Sequence, residues 1–316
     1  MGSYLLRRLG VTVIQLMVLS VVSFLLIHLT PGNPVRTMLG PHASPQAVAT
    51  ISREIGLDRP LPLQYFAFVG NLVTFHWGRD FLYAQSVVSL ISPRAGISAE
   101  LIFGGLIVAV VIGVPLALLA ATHANSGIDH GVRGFVTLLF AMPSFWVGLI
   151  LVLLFSLKLH WLPSSGYTDS SLGGLVRSLL LPCVALGFSI LAVVVRTLRG
   201  SVREVLDTEF VEAARARGFS NRRVLFRHVL RNAVMPTATV LAVNAGLLIG
   251  GTVVIEQVFQ IPGLGSLLFD AVERRDYVVV EYLTVLSGTA IVALTLLVDL
   301  TQMVVDPRVK LVKAHG

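Results

Sequence analysis

The chain has 316 residues, 55% of them hydrophobic and only 13% charged, with 24 Lys and Arg against 17 Asp and Glu. Soluble domains carry roughly 25% charge, so this composition excludes an ordinary water-soluble globule and makes lipid the solvent in which burial must be argued. The net charge of +7 would point to nucleic acid in a soluble chain; here it matches the Lys and Arg excess of cytoplasmic loops in membrane proteins. The single cysteine, Cys183, excludes an internal disulfide or a cysteine-based metal cluster, and inside an apolar run it reads as a small buried hydrophobe.

Six segments lack Asp, Glu, Lys and Arg: 11–29, 101–121, 135–157, 179–195, 237–255 and 282–298. Each has 17 to 23 residues, long enough for a transmembrane helix, and none shows the short alternating pattern of a spanning strand. Arg7 and Arg8 precede the first segment, which is too long for a signal-peptide core and has no A-x-A site, so it reads as a retained span. Pro31-Gly32-Asn33-Pro34 then breaks the helix. Ser44-Pro45 opens a short amphipathic helix to Ile55, with a serine cap and a proline at its first position, and 61–75 forms a second. Two readings are open and compatible: the helices lie on the bilayer surface with Trp77 as an interfacial anchor, and they form an outer cap that receives a partner protein. Pro115, Pro143 and Pro182 kink or start helices further on, and the last span continues past Asp299 to Val305.

Between the fourth and fifth spans lies an arginine-rich loop, 199–236. Asp207 or Thr208 caps a helix running to Arg217, Gly218 stops it, and Ser220 or Asn221 caps a second helix through about Ala233. The result is a helix-turn-helix outside the membrane. Ala213, Ala214 and Ala216 leave its first helix thin, and Glu212 offers a carboxylate to basic groups of another protein. Read from composition alone, the same loop serves only to fix topology. DNA binding is disfavoured, because both ends are tethered to spans and Glu204, Asp207, Glu209 and Glu212 offset the arginines. The N-terminus, this loop and the tail with Arg308, Lys310 and Lys313 fall on one side, which the positive-inside rule makes cytoplasmic. The chain therefore divides into an N-terminus with first span (1–30), an extracytoplasmic segment (31–97), a six-span core completed by 98–305, and a cytoplasmic tail (306–316).

Within the fifth span, Gly246, Gly250 and Gly251 allow close helix approach, whether for packing alone or for sliding along a pathway wall. Asn244 in the same span needs a hydrogen-bond partner or a water-filled cavity. Arg196, Glu256 and Asp299 sit at span edges; Glu256 is placed to meet an ammonium group or to pair with a charge on another chain. His28 is an interfacial hydrogen-bonding residue, with no second ligand at metal spacing.

Glu212-Ala213-Ala214-Arg215-Ala216-Arg217-Gly218 resembles the EAA loop of ABC-importer permeases. The following Arg227-His228-Val229-Leu230-Arg231-Asn232-Ala233 and Val234-Met235-Pro236 look like the dipeptide and oligopeptide branch, because His228 takes the usual apolar position and the proline comes late. Pro31-Gly32-Asn33-Pro34, Gly56-Leu57-Asp58-Arg59-Pro60, Trp161-Leu162-Pro163-Ser164-Ser165-Gly166-Tyr167, Phe259-Gln260-Ile261-Pro262-Gly263-Leu264-Gly265 and Asp306-Pro307-Arg308 are similar to that branch too. The first of these carries Asn where the branch has Asp. The resemblance covers nearly the whole chain.

It implies an all-α membrane protein of the type I ABC-importer permease fold, the first of two permeases in a peptide importer. The implied partners are a second, homologous permease, two ATPase domains that bind ATP and Mg, an extracytoplasmic substrate-binding protein and the bilayer, with no nucleic acid. The implied location is the bacterial cytoplasmic membrane, with both termini cytoplasmic. Glu212, Ala213, Ala214 and Gly218 are the implied ATPase-coupling residues. The chain has no Gly-x4-Gly-Lys-Ser/Thr loop, so it is expected to carry no cofactor and no ATP hydrolysis of its own. Relatives of this branch that carry haem or nickel complexes leave the cargo open. An intramembrane enzyme is remote, since His-Glu-x-x-His and Gly-x-Ser-x-Gly are both absent. A stand-alone secondary transporter has no need of the 212–218 knob.

Overall fold

The computed structural model describes residues 2–29, 34–39, 43–54, 56–80 and 85–305. Pro31, Gly32 and Asn33, Ile55, and the 306–316 tail with Asp306-Pro307-Arg308, Lys310 and Lys313 lie outside the described residues. Among the described residues the secondary structure is helical, with a single isolated β-bridge between Arg79 and Ser86.

The chain runs through α1 (Gly2–His28), α2 (Pro34–Leu39), α3 (Pro45–Glu54), α4 (Leu61–Val73), α5 (Val87–Thr122), α6 (Gly127–Ala141) and α7 (Ser144–Leu151), which continues as a π-helical stretch, Val152–Lys158. It goes on through α8 (Leu172–Leu206), α9 (Glu209–Ala216), α10 (Asn221–Arg223), a second π-helical stretch (Val224–Val229), α11 (Leu230–Phe259), α12 (Leu264–Glu273) and α13 (Tyr277–Val305). Five of these elements are long and apolar enough to cross a membrane, and a sixth crossing is made if the bent pair α6 and α7 counts as one. The family of six spans expected from the sequence therefore stands, with one departure in shape. The third span is not a single rod: its halves meet at 103°. Pro143 is the cause. Met142 is held extended at φ −88°, ψ 134°, as a residue before proline prefers, and α7 starts afresh after Pro143.

The chain forms two compact units, one of residues 1–98 and 262–296, the other of residues 99–261 and 297–316. The first has an aromatic core. Trp77 stacks on Tyr282 at 5.4 Å, Phe68 lies 5.5 Å from Tyr282, and Phe24 meets Tyr65 edge-on at 5.5 Å. Trp77 is only 6% exposed. The indole is enclosed by its own unit and donates to the Leu72 carbonyl at 3.1 Å, so packing within the protein accounts for Trp77 whichever of its two expected settings holds. The expected start of α3 is present, with Ser44 Oγ accepting from the Ala47 amide at 3.2 Å just ahead of Pro45.

The second unit is built on α8. Its core combines Leu191, Val195, Leu198 and Val202 of α8 with Ala117 and Ala121 of α5, Val132 and Val136 of α6, and Val211, Val224 and Val229 from the loop beyond. Small residues let α5 and α8 approach closely. A Cβ placed on Gly187 would lie 2.6 Å from the Gly105 carbonyl oxygen, and one on Gly105 would lie 3.2 Å from Leu186. Backbone cannot yield as a flexible side-chain end can. Gly187→Val should therefore force the helices apart and cost about 1–3 kcal/mol, lowering the thermal midpoint of the purified protein. Gly250→Ala, where added atoms meet open space, should leave it unchanged.

Candidate functional site

The knob between α8 and α11 is assembled by two local signals. Thr208 takes the extended conformation of an N-cap at φ −92°, ψ 148°. Its hydroxyl donates to the Val205 carbonyl at 2.6 Å instead of accepting from the new helix, so the side-chain cap expected of Asp207 or Thr208 is not made. Glu209 and Glu212 fill the first turn of α9 and Arg215 its last, each sign matched to the helix dipole. The stop is at Gly218, with φ +80°. The Phe219 amide donates to Ala214 O at 3.3 Å and the Gly218 amide to Arg215 O at 2.9 Å. Those two bonds form a Schellman turn, whose left-handed position glycine alone adopts freely.

This turn sorts the face of α9. Val211 and Ala214 are buried in the α8-centred core, while Glu212, Ala213, Arg215, Ala216 and Arg217 point outward. Of the coupling residues named from the sequence, Glu212, Ala213 and Gly218 are thus exposed together. Ala214 turns inward: its smallness brings α9 onto its own unit rather than onto an outside protein. After the turn, Ser220 Oγ accepts from the Arg223 amide at 3.4 Å. The Arg223 guanidinium covers the Phe219 ring at 4.8 Å, and Phe219 stacks on His228 at 5.9 Å. Ser220, Arg222, Arg223 and Phe226 line an open cleft of about 400 Å³. Phe210 and Phe226 remain exposed among these charges, the pattern of a surface that meets another protein.

The second helix of the expected helix-turn-helix does not end near Ala233. It passes through the π-helical stretch into α11 and contains Pro236 within its length. No glycine or left-handed residue stands near position 233 to stop it, and proline removes only one amide donor from the ladder.

An ion pair that sequence reading did not single out lies beside the knob. Arg199 of α8 holds Asp129 of α6 through two bonds, Nε to Oδ1 at 2.7 Å and Nη2 to Oδ2 at 2.6 Å. Arg133 adds a looser contact at 3.6 Å. Asp129 is fully buried, and it also accepts from the Asn125 amide at 3.0 Å. The two Arg199 hydrogen bonds, the Asn125 amide and the nearby Arg133 charge together compensate the buried Asp129 carboxylate. The signal was present in the sequence: Ser126 and Asp129 stand three apart, and the Asp129 amide donates to Ser126 Oγ at 3.4 Å in the manner of a capping box.

The pathway candidates separate as well. Glu256 is fully buried and has its own interactions within the protein, so it does not present its carboxylate to a passing ammonium in this conformation. It lies just before the left-handed Gln260 (φ 52°), where its carbonyl accepts from the Ile261 amide at 2.8 Å. Asn244 satisfies its amide on the Val240 carbonyl at 2.7 Å, so no cavity is needed to account for it. Gly246 is buried, Gly251 faces Leu186 of α8, and Gly250 faces open space. His28 bonds to Phe24 O and Gln64 Oε1, both at 2.9 Å. No group of three or more metal-ligating side chains occurs among the described residues.

Residues 113–311 match the family described as binding-protein-dependent transport system inner membrane component, and residues 1–95 match that family's N-terminal region. The chain belongs to this family. This permease is a transport subunit and a multi-pass inner-membrane protein. It is 35% identical over 312 residues to a probable peptide ABC transporter permease protein of Sinorhizobium fredii, covering 98% of this chain and 100% of the relative. It is 37% identical over 314 residues to a putative peptide permease protein of Brucella suis, covering 97% and 98%. A di/tripeptide transport system permease protein, DppB, of Pseudomonas aeruginosa is 35% identical over 333 residues, covering 98% and 99%. The match spans the knob, the aromatic unit and the broken third span alike.

Proposed function

We propose that this permease pairs with a second, homologous permease to form a pathway for peptide uptake. Two ATPase domains, which bind ATP and Mg, power it from the cytoplasm, and an extracytoplasmic binding protein delivers the cargo. The observation that carries the coupling assignment is the surface of α9: Glu212 and Ala213 stand exposed on a short helix closed by the Gly218 turn, beside exposed Phe210 and Phe226. A thin, rigid, partly apolar projection of this kind suits transmission of a push from one rigid body to another. Peptide as cargo is supported by the near-full-length relatives whose names carry that substrate. Copurification tests the assignment. The tagged chain should bring down ATPase subunits and a second permease, and the chain stripped of them should not hydrolyse ATP.

The reading also places both termini in the cytoplasm and 31–97 outside. Thr50 of α3 is exposed. In a Cys183→Ala background, Thr50→Cys should react with an impermeant thiol reagent added from outside intact cells. Labelling only from the cytoplasmic face would reverse the orientation.

A further inference from the structure

The aromatic unit contains a cavity of about 320 Å³ between the end of α1, α4 and the start of α13. Its walls are chemically mixed. Trp77, Tyr282 and Phe68 give aromatic faces, Glu281 gives a carboxylate, and Arg59 and Arg79 give guanidinium groups. Glu281 Oε1 is shielded from solvent and has no hydrogen-bond partner among the described residues. A carboxylate oxygen in that position is costly unless a donor arrives. Arg59 and Arg79, by contrast, are exposed at the rim, and neither has an acidic partner among the described residues.

The order of charge is therefore an anion acceptor at the rim and a cation acceptor within. The surroundings decide what ligand has that order. α1 exposes Met17, Val18, Val22 and Leu26 along its length up to the cavity, and α4 exposes Phe66 and Val73 on the side away from Gln64, Ala67 and Asn71, which line it. Such faces meet acyl chains, and the cavity sits where α1 ends, at headgroup height.

We propose that this cavity holds the headgroup of an aminophospholipid. The primary ammonium enters first, donating to Glu281 and resting against the stacked Trp77 and Tyr282 rings. The phosphate stays at the rim with Arg59 and Arg79, and the acyl chains run down the exposed faces of α1 and α4. A free dipeptide carries the same two charges but has no chains to use those faces. The site is independent of the α9 surface, so its failure leaves the coupling assignment untouched.

The test uses the assembled importer, purified in detergent, incubated with labelled phosphatidylethanolamine or phosphatidylcholine and freed of unbound lipid by gel filtration. Choline's quaternary ammonium cannot donate to Glu281. The parent should retain phosphatidylethanolamine at least tenfold over phosphatidylcholine. Glu281→Gln should abolish that preference, with an unchanged thermal midpoint as the sign that the aromatic wall is intact. Arg79→Gln should weaken retention of both lipids severalfold. Equal retention of the two lipids by the parent, or retention of neither, overturns the proposal without recourse to any variant. A preference that persists in Glu281→Gln overturns it too, as does displacement of the bound lipid by millimolar Ala-Ala, which would make the cavity a peptide site.

Discussion

Arg199→Ala should be the most destabilising single change around the knob end of the α8-centred unit. Asp129 is fully buried and depends on two short bonds from Arg199. Truncating one partner of a buried pair leaves an uncompensated charge, which costs about 3–5 kcal/mol. Arg133 softens the loss only slightly, because its contact is 3.6 Å and its side chain is 48% exposed. The double variant Asp129→Leu with Arg199→Met should recover much of the stability, since apolar residues of similar volume often match or exceed a buried pair. Thermal unfolding of the purified chain in detergent measures all three proteins. An Arg199→Ala midpoint equal to that of the parent would show that the pair contributes nothing to the fold.

The second large effect is on attachment of the ATPase. Gly218 has no neighbour within 4 Å of an added Cβ, so Gly218→Val causes no clash. Its cost is conformational: a β-branched residue at φ +80° is strained by about 1–2 kcal/mol. Relief of that strain would undo the Schellman turn and swing α9 out of register with its partner. Glu212→Lys acts differently. The side chain is exposed, so the fold is spared, but under the proposed coupling an attraction to basic groups of the partner becomes repulsion. Both variants should insert with unchanged topology and pull down several times less ATPase. Ala214→Leu, by contrast, should fail earlier, by overpacking the core that Ala214 enters.

The Gly218 stop of the knob and the start of α3 were legible in the sequence because such signals are local chemistry, whereas the cap of α9 and the end of the helix after it were not. Gly218 is needed for its left-handed φ, and a Ser-Pro pair opens α3 for reasons visible in two residues. What depends on distant packing was not legible. Hydropathy places Trp77 near a membrane surface but cannot say that its ring lies on Tyr282, far along the chain. Nor can it say which alanine of the 213–214 pair faces inward. That is set by the rotation of α9 on the Val211 side, which the core dictates. The third span looked continuous because apolar residues flank Pro143 on both sides; only the proline marked the 103° bend. Glu256 lies near the C-terminal end of α11, as its place in the sequence requires, yet its burial follows from neighbours that sequence spacing does not name.

The most direct test of the whole account is ATP-driven uptake of a labelled dipeptide into vesicles reconstituted with both permeases, the ATPase subunits and the binding protein. Parent vesicles should accumulate peptide. Vesicles carrying Glu212→Lys or Gly218→Val should not, while the binding protein keeps its affinity for the peptide. If both variants take up peptide and hydrolyse ATP in step like the parent, residues 212–218 do no more than fix topology, and the coupling account is contradicted.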